Sequence, residues 1–417
     1  MSKNVLVVGT LDTKGPEFAY LRDRLNELGV NTTVVDIGIL DEPLEIEPDI
    51  GHEEVAKTGG TTIETLQQAG SRGKAVEGMR KAIRILTRKL YNEGKVDGII
   101  SMGGAEGAVM GAAAMMQLPV GVPKILISPI ASGKHYFDPL VGTSDVMIIH
   151  SVVDILGLNP IACTVFDNAA AAMKGMIEHG NLLPDPDPGQ RYVAVTMLGN
   201  TTRAVMAMKN RLATSGYEAV IFHSNGVGGP AMEELAGMGQ FVGVIDYTTN
   251  EVNDPLVGGI HDAGPERLKR IGLLGLPQVV VPGCIDFSVF HTGAVPSQLQ
   301  GRPVYDHNPE YTLVRTSPGE MKQLGRIFAE RLGQAKAPVR IMVPTGGLSI
   351  PNHPDGGVFW DPASDAGFLE SLRKELGRSR PDIPIKTYQY HVNDPAFGEL
   401  VADEFIRLMD NEAGYEH

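Results

Sequence analysis

Four short stretches bring together residue types that hold anions. The first is Gly9-Thr10-Leu11-Asp12-Thr13-Lys14-Gly15, set between an apolar run and a helical pattern. Backbone N–H groups at such a junction, with a helix dipole behind them, attract negative charge. Thr10 and Thr13 add hydroxyl donors, and Lys14 adds a point charge. The spacing is not that of a Walker A loop. The alternative is a capped helix, with Asp12 or Thr13 bonding the first-turn amides. The second stretch, Gly103-Gly104-Ala105-Glu106-Gly107, precedes a run of small residues. Its glycines permit close approach of a ligand or of another backbone. The third is Ser132-Gly133-Lys134-His135, behind Pro129, and alone it reads equally as a turn. The fourth is Ser224-Asn225-Gly226-Val227-Gly228-Gly229, which follows His223 and opens a helix over 230–235. Strand, glycines and helix in that order make it the best anion nest in the chain.

Groups able to move protons cluster in the second half. Asp246, Glu251 and Asp254 lie in a loop directly after a strand, where carboxylates act as acid, base or metal ligand or are simply solvated. Asp286 sits past another apolar run and needs a partner there, while its neighbour Cys284 reads as a small buried residue. Arg315 suits a two-bonded clamp on a carboxylate or phosphate. His307 lies close by in sequence. His223, His261, His291, His353 and His391 are spread without metal spacing, so a metal site requires the fold to gather them. The expected catalytic set is Glu251, Asp286, His307 and Arg315.

These loops need elements to hold them. Asn4–Val8 reads as a strand, followed by a helix over Pro16–Leu28 with Leu21, Leu25 and Leu28 at helical spacing, and a strand over Val30–Ile37. Such a β-loop-α-β unit favours a parallel sheet. Residues 41–54 carry seven acids and two prolines and read as an exposed excursion. Then come a helix over Ala75–Glu93, strands at Val96–Met102, Lys124–Ser128 and Val146–Ile149, and a helix over Asn168–Glu178. The stiff segment LPDPDPGQR, from Leu183 to Arg191, marks a linker. The plan then restarts with a strand at Tyr192–Met197, a helix over Ala204–Ser215 and a strand at Tyr217–His223. Strands at Gly239–Asp246, Gln278–Pro282 and Val339–Pro344 and a closing helix over Pro395–Met409 complete it. The expectation is two doubly wound, Rossmann-like parallel-sheet α/β domains, 1–183 and 192–417, joined by a linker at 184–191. Their ligand would lie in an interdomain cleft at the carboxyl ends of the strands.

Composition narrows the function classes. A net charge of −14 counts against nucleic acid and anionic membrane as partners. No apolar run approaches the roughly 18 residues that span a bilayer. Two cysteines, Cys163 and Cys284, and a start with no signal-peptide plan suit a cytoplasmic protein. The 50 glycines sit largely at strand ends, where α/β proteins build ligand loops.

The stretches GTLDTKGPE, DGIISMGGAEGAV, LPVGVPKILISPIASGK, SVVDILGLN, FHSNGVGGPAMEEL, VGGIHDAGPERL, PQVVVPGCIDF, HNPEYTLVRTSP and YHVNDPAF run in order along the whole chain. Through them the chain resembles the Tm-one-like ATP-binding family, named for the tomato mosaic virus resistance protein. The resemblance implies two Rossmann-like subdomains, a homo-oligomer, and ATP binding by the amino-terminal half. One loop departs from the family pattern Gly-Gly-Ser-Gly-Gly-Thr. Here Ala105 and Ala108 replace hydroxyl residues, and Glu106 replaces a glycine. A carboxylate at that helix start competes with phosphate for the same amides. Glu106 is therefore expected to bind a cation or a ligand hydroxyl, and the ligand to differ from a nucleoside triphosphate. The leading expectation is an enzyme acting on a small anionic ligand, a hydrolase or lyase on an oxygenated carbon skeleton, with a divalent metal as a candidate cofactor. The alternatives are an ATP-binding regulatory module without turnover and a protein-interaction scaffold.

Overall fold

The computed structural model describes residues 3–131, 138–187 and 189–413, and the chain divides into two units, Met1–Pro184 and Asp185–His417. Ser132, Gly133 and Lys134 lie outside the described residues.

In the first unit the elements run β1 (Asn4–Gly9), α1 (Leu11–Glu27), β2 (Asn31–Asp36), α2 (His52–Thr58), α3 (Ile63–Gln67), α4 (Arg72–Asn92), β3 (Gly98–Met102), α5 (Ala105–Met115), β4 (Lys124–Ser128), α6 (Asp138–Val141), β5 (Met147–His150) and α7 (Pro160–His179). The strands form one parallel sheet in the order β2-β1-β3-β4-β5. β3 and β4 are buried along their whole length, as continuous apolar strands covered on both faces must be. α4 and α5 pack on one face of the sheet; α1 and α7 pack on the other. The strand order reverses between β1 and β3, and α/β sheets open a crevice at that point.

Three local features differ from expectation. α1 begins at Leu11 rather than after the glycine turn, with non-helical backbone at Lys14 (φ −130°, ψ 21°), so most of the first loop is helix. α7 begins eight residues early, because Asn159 Oδ1 accepts from the amides of Ile161 and Ala162 and Pro160 takes the first helical position. The acidic excursion is docked rather than fully solvated. Ile46 enters the core and Ile50 bridges to Val35.

The second unit runs β6 (Arg191–Met197), α8 (Thr202–Ala213), β7 (Tyr217–His223), α9 (Gly228–Gly237), β8 (Gly243–Thr248), α10 (Arg270–Leu274), β9 (Gln278–Gly283), β10 (Phe287–His291), β11 (Val304–Asp306), β12 (Tyr311–Arg315), α11 (Pro318–Leu332), β13 (Val339–Pro344), α12 (Pro362–Ser379), β14 (Ile385–Tyr388) and α13 (Pro395–Ala413). Its main sheet is parallel in the order β14-β13-β9-β8-β6-β7, the same plan with the reversal between β6 and β8. Sequence reading missed the separate antiparallel sheet β10-β12-β11. Both units are thus Rossmann-like and doubly wound. Among the described residues, no helix is long and apolar enough to cross a membrane.

Candidate functional site

The reversal in the first sheet leaves the loops after β1 and β3 side by side. They line a cavity of about 840 Å³ together with the β2 exit and the start of α4. That lies within the roughly 300–1,000 Å³ usual for small-molecule sites. Two buried aspartates shape its walls. Asp36 Oδ1 accepts from the amides of Leu11 (3.1 Å) and Gly38 (2.8 Å), which joins the β2 exit to the start of α1. Asp12 Oδ2 accepts from the amides of Ile39 (3.1 Å) and Leu40 (3.0 Å). Gln67 Nε2 donates to the carbonyls of the same two residues. Asp12 therefore anchors a wall and does not cap α1. Burial pushes the Asp36 carboxyl up, against the downward pull of its two amides.

The donors that face the cavity come from the other predicted positions. Neither Thr10 at the start of α1 nor Gly104 at the start of α5 has a side chain bonded to a first-turn amide. Thr13 Oγ1 lies 3.3 Å from both oxygens of Thr10. Lys14 is half-buried on the cavity wall, and its ammonium has no hydrogen bond or ion pair among the described residues. Gly107 is close enough to the start of α1 that a methyl group built on it would sit 3.6 Å from Thr10 Oγ1. Gly9 and Gly103 serve packing instead. A methyl on Gly9 would strike the Phe18 ring at 2.0 Å, and one on Gly103 would meet the Gly107 backbone at 2.8 Å. Glu106 has a partner that the sequence did not suggest: its Oε2 lies 2.5 Å from Arg72 Nη2 at the start of α4, and both side chains are exposed.

In the second unit the predicted nest already holds an anion, the carboxylate of Glu251. Its Oε1 accepts from the amides of Gly226 (2.9 Å) and Gly229 (3.1 Å), and Asn225 Oδ1 takes those of Val227 and Gly228. Arg267 Nε donates to Glu251 Oε2 at 2.7 Å. The same wholly buried guanidinium bonds both oxygens of Asp246 and approaches Glu233 at 3.4 Å. One cation among three carboxylates leaves excess negative charge, and burial pushes Glu233 up to about 7.

Asp286 and Arg315 do meet. Arg315 Nη1 donates to the Asp286 carbonyl (2.9 Å) and Nη2 to Asp365 Oδ1 (2.6 Å). Ser349 Oγ donates to Asp286 Oδ2 at 2.6 Å, and Asn352 Nδ2 donates to Asp365 Oδ2. This cluster is buried, which pushes Asp286 up and Asp365 up to about 6. Cys284 is buried at φ 62° with its thiol pushed well up by burial. His307 stands apart from Glu251 and Asp286 in contact terms: it is exposed between β11 and β12, with its amide on the Tyr311 carbonyl. Burial, with the nearby His223 and His307 charges, pushes His261 down to about 4. Among the described residues, no three His, Cys, Asp or Glu side chains are arranged to hold a metal ion.

Comparison with known proteins follows the same two-unit division. Residues 3–181 match the amino-terminal domain of an uncharacterised protein family, UPF0261, and residues 190–409 match its carboxyl-terminal domain. A UPF0261 protein of Clostridium tetani is 36% identical over 411 residues, covering 98% of this chain and 100% of its own. The tomato ToMV susceptible protein tm-1(GCR26) is 34% identical over 436 residues, and the match takes in 100% of this chain but 57% of the tomato protein. A putative UDP-N-acetylglucosamine 2-epimerase from Listeria monocytogenes aligns over 67% of this chain and 79% of its own, at 12% identity and a TM-score of 0.23, too low to bear on function. Both halves of the chain therefore belong to the uncharacterised protein family UPF0261, of which the tomato Tm-1 proteins are homologues.

Proposed function

We propose that the amino-terminal unit binds a phosphate-bearing small molecule of nucleotide size. One observation carries the reading: an α5 start without a side-chain cap, the hydroxyls of Thr10 and Thr13 and an unpaired lysine face a single cavity where the strand order reverses. Ile39, Leu40, Ala75, Val76 and Met110 offer an apolar wall for the rest of such a ligand. ATP, implied by the family resemblance, is one candidate. The Glu106 carboxylate at the α5 start favours a ligand with less phosphate charge than ATP. Glu251 and Asp286 in the second unit are engaged by partners inside the fold.

Isothermal titration of the full chain with ATP, ADP, AMP and inorganic phosphate tests this. Saturable binding is expected, weakened about tenfold or more in Lys14→Ala, because a charge-assisted hydrogen bond contributes roughly 1.5–3 kcal/mol. Equal affinity in the variant, or no binding at millimolar ligand, would overturn the reading.

A further inference from the structure

Across the β2 exit lies a second cavity, of about 700 Å³, walled by the acidic excursion and the start of α2. Four of its lining residues are exposed glutamates, Glu42, Glu47, Glu53 and Glu54. None of them has an ion pair among the described residues. Pro43, Ile46 and Pro48 supply apolar surface between them.

The floor of this cavity is a buried pair. His52 is 7% exposed, and its Nδ1 lies 3.0 Å from Asp36 Oδ2. The contact is an ion-pair approach rather than an aligned hydrogen bond. A neutral imidazole protonated at Nδ1 keeps its Nε2 lone pair as an acceptor. Nε2 has no partner among the described residues, and His52 lines the cavity. Asp36 is itself held by the amides of Leu11 and Gly38, so the ring has a fixed support.

The geometry points to a second binding site, for a small organic cation. Its ammonium would donate to His52 Nε2, its methylenes would lie along Ile46 and the prolines, and the four glutamates would supply the field. A bare divalent ion fits less well, because no three ligating side chains converge here. Nothing in this site depends on Lys14 or on phosphate.

Putrescine is the probe. Calorimetry at fixed ionic strength, with magnesium chloride as the control for general attraction to acidic surface, is paired with histidine ¹H–¹⁵N spectra of the full chain. The expected result is one saturable site per chain that shifts the His52 Nε2 resonance. Affinity should fall about tenfold in His52→Gln and about threefold in Glu47→Gln, and stay unchanged in Lys14→Ala. Should His52→Gln not fold, Glu53→Gln with Glu54→Gln on the surface replaces it, with a fall of about tenfold expected. No saturable binding, full displacement by magnesium, a His52 resonance that does not move, or unchanged affinity in the folded variants would each overturn the proposal.

Discussion

At the scale of single residues, Glu106 sets the charge at one mouth of the amino-terminal cavity. Its carboxylate sits in the first turn of α5, where helix dipole and free amides would otherwise serve an incoming anion. Arg72 offsets that charge, but across an exposed pair at 71% and 42% side-chain exposure, where solvent weakens the attraction. Glu106→Gln should therefore tighten phosphate binding by about three- to tenfold, in line with a helix-terminus charge effect of roughly 0.3–1 kcal/mol plus the freed Arg72. Titration of inorganic phosphate at low and high salt checks this. The gain should shrink at high salt, and a loss of affinity would show that Glu106 itself holds the ligand. The cavity loops were legible from their glycines and hydroxyls. The Arg72 pairing was not, because Arg72 is 34 residues away and reads as an ordinary surface charge.

At the scale of elements, the runs Lys124–Ser128, Tyr217–His223 and Val339–Pro344 were legible to the residue, because each largely apolar run is bounded by proline or glycine turn signals. Helix starts were harder. The expected start of α7 at Asn168 falls eight residues late, because the true start depends on the Asn159 cap. Replacing Asn159 with Ala leaves the amides of Ile161 and Ala162 without that acceptor and should cost about 1 kcal/mol. A urea midpoint shift of the first unit measures it, and an unchanged midpoint would show that α7 is held by packing alone. The inserted sheet β10-β12-β11 escaped notice because its strands are short and β11 is mostly exposed. The same distinction holds for the fourth glycine loop. Its conformation was readable as an anion nest, but a methyl on Gly229 would lie 2.0 Å from Glu251 Oε2, so the fold has committed that nest to its own carboxylate.

At the scale of the whole molecule, the second unit buries several carboxyls whose pKa values are raised: Asp254 to about 8, Glu233 to about 7 and Asp365 to about 6, each mainly by burial. In the unfolded chain these groups ionise near pH 4. Between that pH and the folded values the unfolded state binds fewer protons, so their contribution is complete at low pH and is lost as pH rises towards 8. Each group contributes at most about 1.4 kcal/mol per pH unit within its own window. Asp254→Asn removes one such window. Urea unfolding from pH 5 to 8 should show a flatter dependence in that variant than in the parent, and parallel curves would show that Asp254 ionises freely in the folded chain. The sequence by itself determined the two repeated parallel-sheet units, the strand-end loops and the family, because these follow from local periodicity, turn chemistry and motifs in order. Only the tertiary structure decided which charges are spent and which remain. Glu251 meets Gly226 and Arg267, and Asp36 meets His52, through strand order and loop docking that bring distant positions within 3 Å or so. A charge's availability depends on what is packed against it, and no run of residues states that alone.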